Sequence, residues 1–393
     1  MNLKSISRNV DYYLLIPYTI LCILGIIMVF SASSNIEMQN GGSAISYLFK
    51  QTSYVFFGVA ILLIIFRFKN GWLKNKKLLN IVGILFILIF IYLRYFGTSI
   101  NGSPGWLNIH GFGIQPAEFV KFYFILRFAR VLGDDEQRPD VFDGWGTFFK
   151  SHLKSMIIFI FIVVMIFLLP DLGGALINVT IVVIMLLASG ISYKRSYRWL
   201  AGFLAIAFGL LYFLAYGPFQ SSNFMKSSYM LQRVVAFANP FSHANGVGQQ
   251  LVNSYYAISN GGFFGTGIGN SIQKTGYLPE PNTDFIMAII AEELGLIGVI
   301  LIMVLLLVLI LRIIVIGIRD RSNYNALICY GTATYMVVQS YFNVGGVIGI
   351  LPITGVTFPF ISYGGSSMFT LCLCLGMVLK ISYKQNERKL ANK

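Results

Sequence analysis

Charged side chains are scarce in this sequence. Asp, Glu, Lys and Arg make up only 11% of its 393 residues, where an ordinary soluble domain carries about a quarter. A water-facing surface cannot be built from so few charges, which excludes soluble enzymes and secreted disulfide scaffolds. Histidine is rarer still: His110, His152 and His243 fall in separate loops. Neither an HExxH nor a CxxC spacing occurs, which argues against a zinc or haem centre. The four cysteines, Cys22, Cys329, Cys372 and Cys374, lie inside apolar runs, where they act as small hydrophobes. The stretch GGFFGTGIG at 261–269 lacks both a P-loop ending and the dinucleotide spacing, so nucleotide hydrolysis has no support.

What is abundant is apolar length, since 56% of the residues are hydrophobic and the charges cluster between runs of about 20 residues, enough to cross a bilayer as a helix. A hydropathy scan predicts ten spans, at 11–33, 46–66, 79–96, 116–132, 151–169, 172–190, 197–216, 285–311, 325–345 and 358–380. The first has no small-residue cleavage site and reads as a retained helix, not a signal peptide. The expectation is an all-α polytopic membrane protein forming one integral-membrane domain over 1–393.

Lys and Arg accumulate on cytoplasmic segments. A cytoplasmic N-terminus places 23 of the 29 basic residues on that side, including the cluster from Arg67 to Lys77 and the tail from Lys380 to Lys393. Both termini are then cytoplasmic. The net charge of +14 is an orientation signal with some attraction to membrane lipids, and nucleic acid is not an expected partner. The segment 217–284, between the seventh and eighth spans, is rich in aromatics and low in net charge. It is expected to be a structured extracytoplasmic loop.

Several residues could carry chemistry. Asp284 closes the rigid run LPEPNTDF and opens the eighth span, with Asn282 or Thr283 able to cap the helix. It reads either as a catalytic base or as an ordinary first-turn acid favoured by the helix dipole. Glu292 and Glu293 lie about 12–14 Å further along that helix, where carboxylates need partners. Lys121 could pair with one of them, or with Glu118 three residues before it. Glu118 and Lys121 share a helical face after the loop holding Trp106. The 261–269 run, followed by Lys274, is either an anion-binding nest or a re-entrant turn in which glycine permits close backbone approach.

In this order, the blocks FSASS (30–34), NGSPGW (101–106), QPAEFVK (115–121), PDLGGAL (170–176), GGFFGTGIGNS (261–271), YLPEPNTDFIMAIIAEELG (277–295) and FPFISYGGSS (358–367) resemble the FtsW/RodA family, also called SEDS proteins. The resemblance covers nearly the whole chain and looks closer to the FtsW-like division branch than to the RodA-like elongation branch. It implies a ten-span polymerase that joins lipid II into glycan strands outside the cytoplasmic membrane, with Asp284 as the essential aspartate. It further implies substrate-binding roles for Trp106, Glu118 and Lys121, and places Ser362 and Ser366 beside the site. A class B penicillin-binding transpeptidase and other division-complex proteins are the implied partners.

The family often has a basic residue where this chain has Gly105 and a polar one where it has Leu169, which leaves Arg94, Arg233 and Lys274 as the candidate cations for a diphosphate. A divalent cation, Mg or Mn, is a further candidate for stabilising the leaving group. Two other readings stay open from the residues alone: a lipid II transporter with Glu118, Lys121 and Glu292 lining a polar path, and a division scaffold without activity.

Overall fold

The structure, a computed structural model, describes residues 10–39, 44–68, 71–100, 103–109, 112–133, 152–191, 193–217, 229–244, 246 and 248–391. Twelve α-helices are described: α1 Tyr12–Gln39, α2 Ala44–Arg67, α3 Lys76–Phe96, α4 Pro116–Leu132, α5 Leu153–Leu168, α6 Leu172–Leu187, α7 Tyr193–Tyr216, α8 Tyr229–Ala238, α9 Gln249–Gly261, α10 Ile286–Arg319, α11 Asn323–Val347 and α12 Gly365–Ala391. A helix lies on each of the ten predicted apolar segments. Six of the described helices (α1, α2, α3, α7, α10, α12) are long and apolar enough to cross a membrane, and α5 and α6 are apolar but shorter.

Local chemistry sets several helix starts. Asn75 caps α3 by accepting from Lys77 N at 2.9 Å, Pro116 opens α4, and Asp171 caps α6 by accepting from Gly174 N at 2.7 Å. In the bundle α10 packs against α1 and α11, α12 packs against α2, and α4, α6 and α11 pack against one another. At the end remote from Asp284, Arg312 pairs with Asp11 at 2.8 Å and Ser382 donates to Asp11 at 2.8 Å, tying α10 and α12 to the start of α1. Helix α7 is peripheral, with Ala215 as its one buried residue.

Three features add to or depart from the sequence expectation. A three-stranded antiparallel sheet, β1 Thr98–Ile100, β2 Ser103–Ile109 and β3 Phe112–Ile114, links α3 to α4. Asn101-Gly102 between the first two strands is a hairpin signal, but strands this short leave no hydropathy period to read. The last helix begins at Gly365 rather than at 358, because the preceding run folds as an irregular segment whose backbone bonds to other elements. Two helices, α8 and α9, lie within 217–284.

The eighth predicted span is also interrupted. Gly295, at φ 66°, breaks α10 inside the bundle, and the 261–269 run fills the break. Thr266 N donates to Glu292 O at 2.9 Å and Gly267 N to Glu293 O at 3.0 Å, while Leu296 N and Ile297 N donate back to Gly262 O and Phe263 O at 3.0 and 3.3 Å. Backbone groups freed at a helix break in an apolar setting need such partners. The approach is close enough that a Cβ on Gly265 would lie 2.2 Å from Glu293 O, and Gly265 itself sits at φ +79°. Gly265→Ala is therefore expected to destabilise the protein by more than about 2 kcal/mol, read as a fall in unfolding midpoint in detergent.

Candidate active site

Asp284 stands just before α10, on a turn whose backbone is held from three directions. Asn343 of α11 donates to Asp284 O at 2.8 Å. In the segment before α12, Ser362 donates to Thr283 O at 2.7 Å and Tyr363 N to Asn282 O at 2.9 Å. From the other side, Asn282 donates its amide to Ser33 Oγ of α1 at 3.0 Å. Neither Asn282 nor Thr283 caps α10, contrary to expectation. Phe285 occupies the cap position without a side-chain bond, and Thr283 instead donates to the Glu280 carboxylate at 2.9 Å.

The backbone that carries the Asp284 side chain is thus fixed in place, and the residue keeps partial solvent access. Burial pushes its pKa up to about 6, opposed by Arg233 and reinforced by the negative charges of Glu280 and Asp171. Arg233, on α8, lies close by: a Cβ on Gly355 would sit 3.4 Å from Asp284 Oδ2 and 3.5 Å from Arg233 Nη1.

Helix α11 presents a polar face at four-residue spacing, Tyr335, Gln339 and Asn343. Tyr335 donates to Glu118 at 3.2 Å, and the Lys121 ammonium lies 4.9 Å from the Tyr335 ring centre. Gln339 donates to Thr357 O and to Ser367 Oγ at 2.8 and 3.0 Å. Lys121 pairs with Glu118 at 2.5 Å, not with Glu292 or Glu293. Asp171 accepts from Gln115 at 3.2 Å, and burial raises its pKa. The start of its helix abuts the segment beside Asp284: a Cβ on Gly173 would lie 2.4 Å from Val356 Cγ2 and 3.0 Å from Thr354 O, and Thr354 and Val356 border the same crevice as Asp284. The signal for it was the N-cap position in PDLGGAL.

The remaining candidates separate. Trp106 lies on β2, paired in register with Thr98. Ser362 also accepts from Phe358 N at 2.7 Å, and Ser366 accepts from Gln115 N at 3.0 Å, so both hydroxyls bind backbone groups of the site's own walls. Arg94 donates to Leu168 O at 3.1 Å. Lys274 does not face a substrate space: it is 3% exposed, pairs with Glu293 at 2.7 Å and donates to Ser31 Oγ at 3.0 Å. Ser31 in turn donates to Glu293 at 2.7 Å. Glu292 accepts from Ile272 N and Gln273 N at 3.1 and 3.2 Å and from the Ser271 hydroxyl. The glycine run is thus the re-entrant turn, and Lys274 is an internal counterion. The sequence signal for that was two adjacent glutamates at membrane depth, which demand a cation.

A family model described as cell cycle protein, covering FtsW, RodA and SpoVE, matches residues 12–387. The chain belongs to the FtsW/RodA/SpoVE family. Among its relatives, the probable peptidoglycan glycosyltransferase FtsW of Lactococcus lactis is 39% identical over 100% of this chain and 96% of its own length. That of Bacillus subtilis is 34% identical over 98% and 95%. Among solved structures, a chain from a peptidoglycan synthase complex that coordinates polymerization and crosslinking superposes with a TM-score of 0.72 at 22% identity, covering 96% of this chain and 98% of that one. Thermus thermophilus RodA superposes with a TM-score of 0.64 at 21% identity, covering 95% and 96%. Both share the fold.

In this FtsW/RodA/SpoVE member, separate sequence blocks converge on the Asp284 turn: Ser33 from FSASS, Asp171 from PDLGGAL, Ser362 from FPFISYGGSS. Among the described residues, no group of three or more His, Cys, Asp or Glu side chains is placed to hold a metal ion. Removing one partner of a buried ion pair costs about 3–5 kcal/mol, while replacing both with apolar groups costs far less. Lys274→Met is expected to lower stability by that amount, and Lys274→Met with Glu293→Leu to recover most of it, measured by equilibrium unfolding in detergent.

Proposed function

We propose that the chain is a peptidoglycan glycosyltransferase of the division type, polymerising lipid II at the outer face of the bacterial cytoplasmic membrane. The observation that carries this reading is Asp284, a carboxylate with a rigid backbone, partial exposure and a pKa pushed up to about 6, in a family whose named relatives are glycosyltransferases. In this reading ten helices cross the membrane and both termini are cytoplasmic, supported by the 23 of 29 basic residues that fall on that side. A class B penicillin-binding transpeptidase is the proposed partner, supported by the fold neighbour's place in a peptidoglycan synthase complex.

Asp284 takes the proton from the 4-hydroxyl of the acceptor sugar. The freed oxygen attacks the anomeric carbon of the lipid-linked chain from the face opposite the diphosphate. The new O4–C1 bond forms as the C1–O bond to the lipid diphosphate breaks, with inversion, and the negative charge leaves on the diphosphate. Arg233, the cation set close to Asp284, faces that charge. Lys121 and Tyr335 hold Glu118 between them and order the α4 wall, while Trp106 offers a flat apolar surface for a sugar. Ser362 and Ser366 position the walls. A base near pKa 6 is ionised at neutral pH yet easily gives its proton to solvent after each transfer.

The raised pKa means that folding favours the protonated acid, a stabilisation present at low pH and lost as pH rises through about 6. Asp284→Asn, which mimics that neutral form, is therefore expected to be at least as stable as the wild type at pH 7. Its polymerisation of purified lipid II, with the transpeptidase partner present, is expected to fall by about 10²–10⁴. Normal glycan synthesis by a folded Asp284→Asn protein would remove the base. The wild-type rate is expected to rise with pH through about 6 and level off above it, since only the carboxylate accepts a proton.

A further inference from the structure

The hydrogen-bond ladder of α10 begins one residue after Asp284. Ala288 N and Ile289 N both donate to Phe285 O, at 2.9 and 3.3 Å, so the Asp284 carbonyl lies outside the ladder and needs a donor from elsewhere. Asn343 supplies it from its side-chain amide at 2.8 Å. The other anchors of the turn act on its neighbours, Ser362 on Thr283 O and Tyr363 N on Asn282 O. Of these three, only Asn343 reaches the residue that carries the base. The same nitrogen donates to Val356 O at 2.7 Å. Carbonyl oxygens only accept, so the two bonds fix which end of the amide is nitrogen and occupy both of its N–H groups.

Asn343 is 3% exposed, and turning its amide away would take the donor from both carbonyls at once. Its second acceptor is held on α11 as well, because Gln339, one turn earlier, donates to the next carbonyl, Thr357 O, at 2.8 Å. Asn343 thereby ties the main chain of Asp284 to a helix and to the segment before α12. General-base catalysis needs the carboxylate within hydrogen-bond reach of the acceptor hydroxyl, and a misplacement of about 1 Å costs about 10²-fold in rate. We infer that Asn343 is a positioning residue for the transfer: its amide holds the Asp284 main chain where the carboxylate meets the acceptor hydroxyl, and it acts on the reaction only through that carboxylate. The inference rests on the polymerase reading of Asp284 and extends it to a residue on another helix, 59 positions along the chain.

The test is steady-state polymerisation of purified lipid II by the full-length protein with its transpeptidase partner. Asn343→Leu keeps the side chain's bulk and removes both N–H groups, while Asn343→Ala removes the bulk as well. Both are expected to lose about 10²-fold in kcat while KM stays within about threefold, and whichever shows a cooperative unfolding transition carries the comparison. Ser254→Ala is the control for a lost buried bond. Ser254 is fully buried and donates to Val347 O, one turn beyond Asn343 on α11, at 2.6 Å. Its variant is expected to lower the unfolding midpoint while kcat stays within about twofold. The same Asn343 variant is then made in an Asp284→Asn background. Once the base is gone its placement has no value, so Asp284→Asn with and without Asn343→Leu is expected to give one residual rate within about twofold.

Wild-type kcat in a folded Asn343→Leu protein would overturn the positioning role, since only bulk would then matter. A raised KM with unchanged kcat would overturn it in favour of a binding contact. A further loss of about 10²-fold on adding Asn343→Leu to Asp284→Asn would overturn it too, because the residue would be acting on something other than the base. No glycan from the wild type, or normal glycan from Asp284→Asn, would overturn the reading of Asp284 itself and the positioning role with it.

Discussion

A helix broken inside an apolar bundle leaves backbone amides and carbonyls that must find new partners within the protein, and this constraint organises the molecule. At Gly295 the hydrogen-bond ladder of α10 is taken over by the 261–269 run, which brings two main chains into contact with no side chain between them. The turn that follows must then lie against α1 and the first part of α10. Glu292 and Glu293 fasten it there, the one through amide N–H groups and the other through Lys274 and Ser31. Asp284, at the far end of this fastened stretch, owes its position to the break at Gly295, eleven residues further along the chain.

Charge is distributed unevenly around this frame. Lys274 and Arg312 each sit against one carboxylate at 2.7 and 2.8 Å, and Lys121 against another at 2.5 Å, so most buried acids are matched. At Asp284 the balance differs, because burial outweighs Arg233 and the carboxylate is left with a raised pKa. Structural acids that are fully paired are poor bases, whereas an incompletely compensated acid on a rigid turn is a good one. The network around it, from Asn343 to Ser362, bonds the backbone of the turn and leaves the carboxylate itself available.

Much of the helical framework was legible in the sequence because long apolar runs report their own length. The charge-bearing residues were legible as candidates, since a carboxylate or ammonium inside an apolar segment needs a reason. Their partners were not. Lys274 read as an outer cation because spacing cannot show that the chain folds back to set it on Glu293, and Lys121 offered two acids between which periodicity could not choose. Asp171 went unmarked because its N-cap role is local, while its relation to Asp284 depends on how the start of α6 meets the segment before α12. The small sheet at Thr98–Ile114 and the irregular run before Gly365 escaped because neither has a period to read: the strands are short and pair with their sequence neighbours, and the run is ordered by bonds to distant segments.

The junction at the α10 break also bears on how such a chain can change over generations. A Cβ on Gly265 would collide with Glu293 O and Gly295 N, a Cβ on Gly295 would collide with Gly265 N and Phe263 O, and both residues hold positive φ. Each is obstructed by the other's main chain, which no substitution can trim. A lesion at either glycine therefore has no second-site remedy at the other, so this pair is closed to the stepwise compensation by which side-chain contacts drift. Divergence must run around the junction, through the exposed faces and the peripheral α7, while the two glycines stay fixed.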